Sequence, residues 1–393
     1  MNQFPLIHQG SVKNIHGDYA KSPLLFHFSN RYSIFDWGEM PDHIERKGEA
    51  LAAFTAGYFT MITRPNVWRE LVRPIAGLLR PAEVVWLEQF ESAGMAHHFL
   101  GKYNIMGQKL GAHAGTDCIG VLPFQILRPV FNSEYYDYTI YGEKPERCLI
   151  PLEAIFRFAL PEGSSLLKRL ENPEVIRDLE LNHIPVAGEK FARPLVEFST
   201  KLEPSDRMLR RQEAEEISGC SMKEFESLSI HIRLLAYLLQ GAFRQHQIEL
   251  QDGKFEFGFG ERSTLSVPKH SERSQGREII LLDAIGPDEL RLEYNGMQLS
   301  KEVLRRYYRK TTWFQEWEAL KKKAAHNPNN PDWKKQASQE VGPPPALPQT
   351  FKKSIGHMYC ALANVVADAA QINRPFPDVP ELHEVAHRLQ EFA

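Results

Sequence analysis

The chain has no apolar run approaching the roughly 20 residues that a membrane-spanning helix requires. Its longest candidates, residues 234–239 and 279–282, are of a size that fills a core. The first residues, Met1-Asn2-Gln3-Phe4-Pro5, lack the basic start and apolar stretch of a secretory signal. Cysteine is scarce: Cys118, Cys148, Cys220 and Cys360 are widely scattered and form no CxxC pair. That excludes a sequence-evident disulfide framework or structural zinc site and points to a reduced, cytoplasmic protein. Neither sign of charge dominates, since 47 basic residues meet 50 acidic ones for a formal net charge of −3. No basic field recommends nucleic acid as a partner, and nothing recommends a membrane. Internal repeats are absent. Low complexity is confined to Asn327-Pro328-Asn329-Asn330-Pro331 and Gly342-Pro343-Pro344-Pro345.

What remains is the composition of an ordinary globular protein, with 42% hydrophobic and 25% charged residues in 393. That length predicts two or three lobes rather than one small core, and a homo-oligomer is compatible with it. Residues 6–8, 10–16 and 24–28 read as short strands, and 47–64 as a helix with Leu51, Phe54, Tyr58 and Met61 on one face. The stretch 65–145 is mixed and turn-rich. Residues 146–158 run apolar, with Pro151 marking an irregular join between lobes. A long amphipathic helix is predicted from Ser221 to about residue 247, opened by the capping-box spacing of Ser221 and Glu224. Another helical stretch begins near Glu302, residues 326–349 read as a proline-rich linker, and 352–372 as a terminal helix. Strand clusters interspersed with helices, without regular βαβ alternation, predict an α+β fold.

The region richest in chemistry is Asp252-Gly253-Lys254-Phe255-Glu256-Phe257-Gly258. Phe255, Phe257 and Phe259 alternate with Lys254, Glu256 and Gly258, the period of a half-buried strand whose charges share one face. Downstream, residues 278–282 form an apolar strand delivering Asp283 to a cleft edge, followed by Pro287-Asp288 and Arg291. Two carboxylates beside a lysine and an arginine suit a divalent cation and a phosphorylated ligand. A plainer reading competes: Asp252-Gly253 between two apolar-alternating runs is also a two-residue hairpin signal, and the charges are then an ordinary wet face.

Taken with the order of its other motifs, the chain resembles the SAICAR synthetase family of purine biosynthesis from about Gly10 to Arg309. Asp252-x-Lys254-Phe255-Glu256-Phe257-Gly258 is similar to one family signature. Leu149-Ile150-Pro151-Leu152-Glu153-Ala154-Ile155-Phe156-Arg157, then Gly163-Ser164 and Leu167-Lys168-Arg169-Leu170, is similar to another, with one extra residue between Arg157 and Gly163. The resemblance implies an ATP-grasp-like, kinase-like pair of lobes: an N-terminal lobe over 1–148 with a phosphate loop and an insertion near 102–135, a C-terminal lobe over 149–310 with the metal and substrate residues, and a helical, proline-rich extension over 311–393. It implies a carbon–nitrogen ligase that uses ATP and Mg2+ to join the carboxylate of an aminoimidazole ribonucleotide (CAIR) to the amino group of L-aspartate through an acyl phosphate, giving SAICAR.

The same resemblance implies roles for residues. Glu256 and Asp283 match the metal-holding acids that also meet the nucleotide. Ser11, Val12 and Lys13 match the phosphate loop, Leu149 the segment beside the adenine, and Lys201 a lysine that reaches the nucleotide. Arg157, Ser164 and Arg291 match residues that grip the ribonucleotide, and Arg305 and Asp36 further substrate-binding positions. Asp252, Lys254 and Asp288 fall at catalytic, substrate-facing positions. Ser11 stands where a second lysine is often found, Ala284 where a glutamate is common, and Glu293 near a common tryptophan. Ala284 and the altered spacing from Arg157 to Ser164 motivate one alternative, a divergent paralogue joining another carboxylate and amine. The proline-rich tail motivates a second, a non-catalytic nucleotide-binding scaffold. Gly111-Ala112-His113-Ala114-Gly115 reads as a loop, and the adjacent His97-His98 as no metal site.

Overall fold

A computed structural model describes residues 4–260, 277–325 and 333–392. Strands β1 (Leu6–Gln9), β2 (Lys13–His16) and β3 (Leu24–Phe28) lead into helices α1 (Lys47–Ile62), α2 (Pro65–Leu71) and α3 (Pro81–Ala93). Strands β4 (Phe99–Tyr103) and β5 (Cys118–Val121) then complete a five-stranded sheet ordered β1-β2-β3-β5-β4. A two-stranded ribbon, β6 (Val130–Phe131) and β7 (Tyr136–Asp137), precedes the second sheet.

That sheet begins with β8 (Cys148–Ala159), followed by the short helices α4 (Ser165–Arg169) and α5 (Pro173–Asp178). Next come β9 (Lys190–Thr200), β10 (Met208–Leu209), α6 (Arg211–Ser218), α7 (Met222–Arg244), β11 (Glu249–Gly260), β12 (Glu278–Leu282), β13 (Leu290–Tyr294) and β14 (Met297–Gln298). Its order is β10-β9-β8-β11-β13-β14, with β12 also paired to β11. The chain closes with α8 (Glu302–Arg309), α9 (Thr312–Ala325), α10 (Trp333–Val341), α11 (Gln349–Ala369) and α12 (Leu382–Gln390). Pairing between named strands is antiparallel in both sheets, and the fold is α+β.

Strand β11 organises the second sheet because its two faces differ. Phe255, Phe257 and Phe259 are almost wholly buried, with Phe255 stacked against Phe156 at 4.9 Å and parallel to Tyr58 of α1. Helix α7 packs on β8, β9 and β11, its start fixed by the predicted capping box: Ser221 N–H donates to Glu224 Oε2 at 2.8 Å, and Glu224 N–H to Ser221 Oγ at 3.3 Å. The opposite face of β11 carries Asp252, Lys254 and Glu256.

Three expectations are corrected. Asp252-Gly253 is no hairpin turn, because β11 runs unbroken through it with partners on both edges. Glycine is needed there since a Cβ at residue 253 would stand 2.6 Å from both Phe156 Cζ and Leu290 Cδ2. Pro151 does not interrupt its strand: it lies within β8, where the register with β11 slips between Glu256 and Gly258, the bulged setting in which a sheet accepts proline. The 326–349 linker contains helix α10, whose Trp333 stacks on Trp317 at 5.7 Å, while 326–332 lie outside the described residues. The helix expected over 352–372 is α11, and α12 follows it.

Candidate active site

One edge of β11 is shared by two strands in succession. β12 pairs with its second half, Glu256 opposite Leu282, and β13 with its first half, Asp252 opposite Arg291. Between them, residues 283–289 leave the sheet as a loop beside Lys254. That register sets Asp283 next to Glu256 and Arg291 next to Asp252. On the other edge, β8 lays Glu153 opposite Glu256 and Arg157 opposite Asp252. Side chains two residues apart share a face, so one polar row runs from the Glu256 end to the Asp252 end, about 13 Å at strand spacing.

The Glu256 end opens into a cavity of about 410 Å³. Its walls are the 10–13 turn, Phe26 and neighbouring residues of the five-stranded sheet, the 283–289 loop, and Lys201, Lys254 and Glu256. The turn is tight: Gly10 N–H donates to Lys13 O at 3.0 Å, and a Cβ on Gly10 would stand 2.8 Å from that carbonyl. Arg31 donates to Gly10 O and Ser29 to Val12 O, which hold the turn in place. At another wall Phe124, Leu149 and Leu202 gather with Leu282 in an apolar cluster suited to a flat ring. Leu149 N–H is already bound to Gln125 O at 2.9 Å.

The cavity's three lysines are paired with carboxylates. Lys13 contacts Asp283, Lys201 bridges Glu256 at 2.6 Å and Glu153 at 3.1 Å, and Lys254 meets Glu153 at 2.7 Å. Burial disfavours the Lys201 ammonium, but Glu256 and Glu153 outweigh it and raise its pKa. Lys254 follows the same pattern, with burial outweighed chiefly by Glu153. Burial lowers the Lys13 pKa, against the attraction of Glu256 and Glu289. Glu289 lines the cavity, and burial with the neighbouring Asp288 pushes its carboxyl up to about 7. Asp283 itself is held at φ 63°, in the left-handed region, where His98 Nε2 meets its backbone carbonyl at 2.9 Å.

At the far end of the row, Asp252 Oδ2 accepts from Arg157 at 3.0 Å and from Arg291 at 2.9 Å. Glu197 takes Arg157 Nε at 2.7 Å and Arg169 at 2.6 Å. Nε and one terminal nitrogen of Arg169 are buried without a hydrogen-bond partner among the described residues. Three guanidiniums thus converge where two carboxylates leave cationic donors over.

Of the residues singled out in the sequence, Ser11, Val12, Lys13, Leu149, Lys201, Lys254, Glu256 and Asp283 line the cavity. Asp252, Arg157 and Arg291 form the arginine end. Ser164 is buried, its Oγ accepting from Leu166 N–H at the start of α4. Asp36 sits on a loop with Lys321 at 2.6 Å, and Arg305 pairs with Glu302 at 3.2 Å. Asp288 does not face the cavity: its side chain is 2% exposed, with Lys47 at 2.8 Å and the Tyr359 hydroxyl at 2.5 Å. Sequence reasoning left Glu153, Glu197, Arg169, His98 and Glu289 without roles. Glu153 and Arg169 lay within quoted motifs, whereas no sequence signal marks Glu289.

No group of three or more His, Cys, Asp or Glu able to hold a metal occurs among the described residues. Two adjacent carboxylates, Glu256 and Asp283, do suit magnesium, which commonly takes one or two carboxylates and completes its shell from phosphate oxygens and water.

The family model described as SAICAR synthetase matches residues 6–320. A protein of Archaeoglobus fulgidus, provisionally named phosphoribosylaminoimidazole-succinocarboxamide synthase, is 35% identical over 97% of this chain and 99% of its own length. The phosphoribosylaminoimidazole-succinocarboxamide synthase of Thermoplasma volcanium is 27% identical over 77% of this chain and 83% of its own. Among solved structures, the SAICAR synthase of Saccharomyces cerevisiae complexed with SAICAR is similar in fold, with TM-score 0.51 and 19% identity over 93% of this chain and 95% of that one.

Proposed function

This chain belongs to the SAICAR synthetase family, and we propose that the cavity and polar row are the active site of an ATP-dependent ligase joining the CAIR carboxylate to the amine of L-aspartate. The observation that carries this reading is the row itself. It has a lysine-rich cavity at one end, an arginine cluster about 13 Å away at the other, and Lys254 between them. Such spacing suits a nucleotide polyphosphate in the cavity and a substrate whose phosphate reaches the arginines. Arginine's planar fork binds two phosphate oxygens at once.

A carboxylate is a poor electrophile. Its oxygen attacks the γ-phosphorus of ATP, the bond to ADP breaks, and an acyl phosphate forms. The neutral amine nitrogen of aspartate then attacks the carbonyl carbon, phosphate leaves with the electron pair, and the one extra proton on nitrogen passes to the departing phosphate or to water. Phosphoryl transfer demands positioning and charge neutralisation above all. Lys13 and Lys201 provide both, and their carboxylate partners keep them ordered until phosphate oxygens replace those partners. Lys254, in mid-row, meets the transferring group. The wall of Phe124, Leu149 and Leu202 receives the base. Glu256 and Asp283 are the residues that would hold magnesium, which would supply further charge neutralisation to the phosphates.

The test is isotopic. CAIR carrying 18O in its carboxylate should release phosphate containing one 18O atom per turnover. Turnover that leaves the label entirely in the amide and water would exclude the acyl phosphate.

A further inference from the structure

The chain matched by the family model ends at residue 320, yet a later element reaches the site. Helix α11 is buried along most of its length and packs against α1. The two backbones come close, because a Cβ on Gly356 would stand 2.7 Å from Glu45 O and one on Gly57 3.2 Å from Val366 Cγ1. This fixed crossing aims the Tyr359 hydroxyl at Asp288 Oδ1, while Lys47, the first residue of α1, takes Oδ2. Lys47 is 0% exposed, and its ammonium also stands 5.2 Å from the Tyr359 ring centre.

Asp288 lies on the 283–289 loop joining β12 to β13, which also bears Asp283 and Glu289. The loop is held at other points too: Thr55 Oγ1 of α1 donates to Ile285 O at 2.9 Å, Gly286 lies against Leu51, and His98 and Lys13 meet Asp283 at its start. Among the described residues, the polar group of α11 that reaches this loop is the Tyr359 hydroxyl. We propose that Tyr359 is a positioning residue of the ligase site: its hydroxyl pins Asp288 and so sets the 283–289 loop that carries Asp283 to the nucleotide. The inference rests on the ligase reading for its catalytic consequence, and on geometry alone for the pinning. It gives α11 a part in the chemistry, although none of the described residues beyond 320 lines the cavity.

Tyr359→Phe keeps the ring and removes only the hydroxyl. Hydrogen exchange on the full-length variant should show lost protection in the peptide spanning 283–289, with α11 and α1 unchanged. Steady-state kinetics at a temperature where the variant is folded should show kcat reduced about tenfold, with KM for ATP changed less than about threefold. Unchanged exchange at 283–289, or loss spread equally over α11, overturns the pinning. Altered exchange with wild-type kcat overturns the catalytic role. If the wild-type chain itself fails to turn over CAIR and aspartate, the ligase reading falls, and the exchange result still decides the pinning.

Discussion

Glu289 shows how a single side chain couples the cavity to stability. Its carboxyl is buried beside Asp288, which raises its pKa to about 7 from an ordinary value of 4.5. Below pH 4.5 folded and unfolded chains are both protonated there, so the group has no effect. As pH rises through 7 the folded chain must ionise a group the unfolded chain ionises more readily, and stability is lost. Glu289→Gln should therefore raise the melting temperature at pH 8 and leave it nearly unchanged at pH 4.5, with a limiting gain on the order of 3 kcal/mol. An equal shift at both pH values would remove titration as the cause. Glu256→Gln is expected to lower turnover by on the order of 100-fold or more while the protein stays folded, since it removes a preorganised charge from the phosphate site. Near-normal activity would refute the metal assignment. Glu256 was legible in the sequence because it sits in a patterned motif. Glu289 was not, because its placement depends on a loop whose course is set by α1 and α11.

Among the elements, β11 carries the most information. The alternation of phenylalanine with charge predicted both its faces. The Asp252-Gly253 pair nevertheless read as a turn, because local turn chemistry and a two-sided strand edge look alike until the pairing partners are known. β8 on one side, and β13 followed by β12 on the other, supply the ladder that overrides the local signal. Gly258 is fixed by the same crowding: a Cβ there would stand 2.6 Å from Leu282 Cδ1 and 2.8 Å from Cys148 O. Backbone cannot yield as a side chain can, so Gly258→Ala should destabilise by about 1–3 kcal/mol in urea unfolding. A change below about 0.5 kcal/mol would show that the β8–β11 join is looser than the register implies.

At the scale of the molecule, the sequence marked 311–393 as a helical, proline-rich extension, and the structure packs α11 of it into the main core. Phe351, Ile355, Met358, Leu362 and Val366 of α11 belong to the main core. Trp317 of α9 donates to Phe35 O at 3.0 Å, and Lys321 pairs with Asp36, which hold a loop singled out for substrate binding. A proline-rich, charged stretch between helices disguised this, since contacts so distant in sequence leave no periodic trace. Truncation after Arg309 should expose the α1 face and yield aggregated protein; a soluble, monodisperse product would show that the core closes without α11. The central claim, that the row from Lys13 to Arg157 is a ligase site, is tested most directly by ADP release from the full-length chain supplied with ATP–Mg, CAIR and L-aspartate. Release that requires both CAIR and aspartate, and appearance of SAICAR in equal amount, is the predicted result. No release, or release indifferent to either substrate, would contradict it.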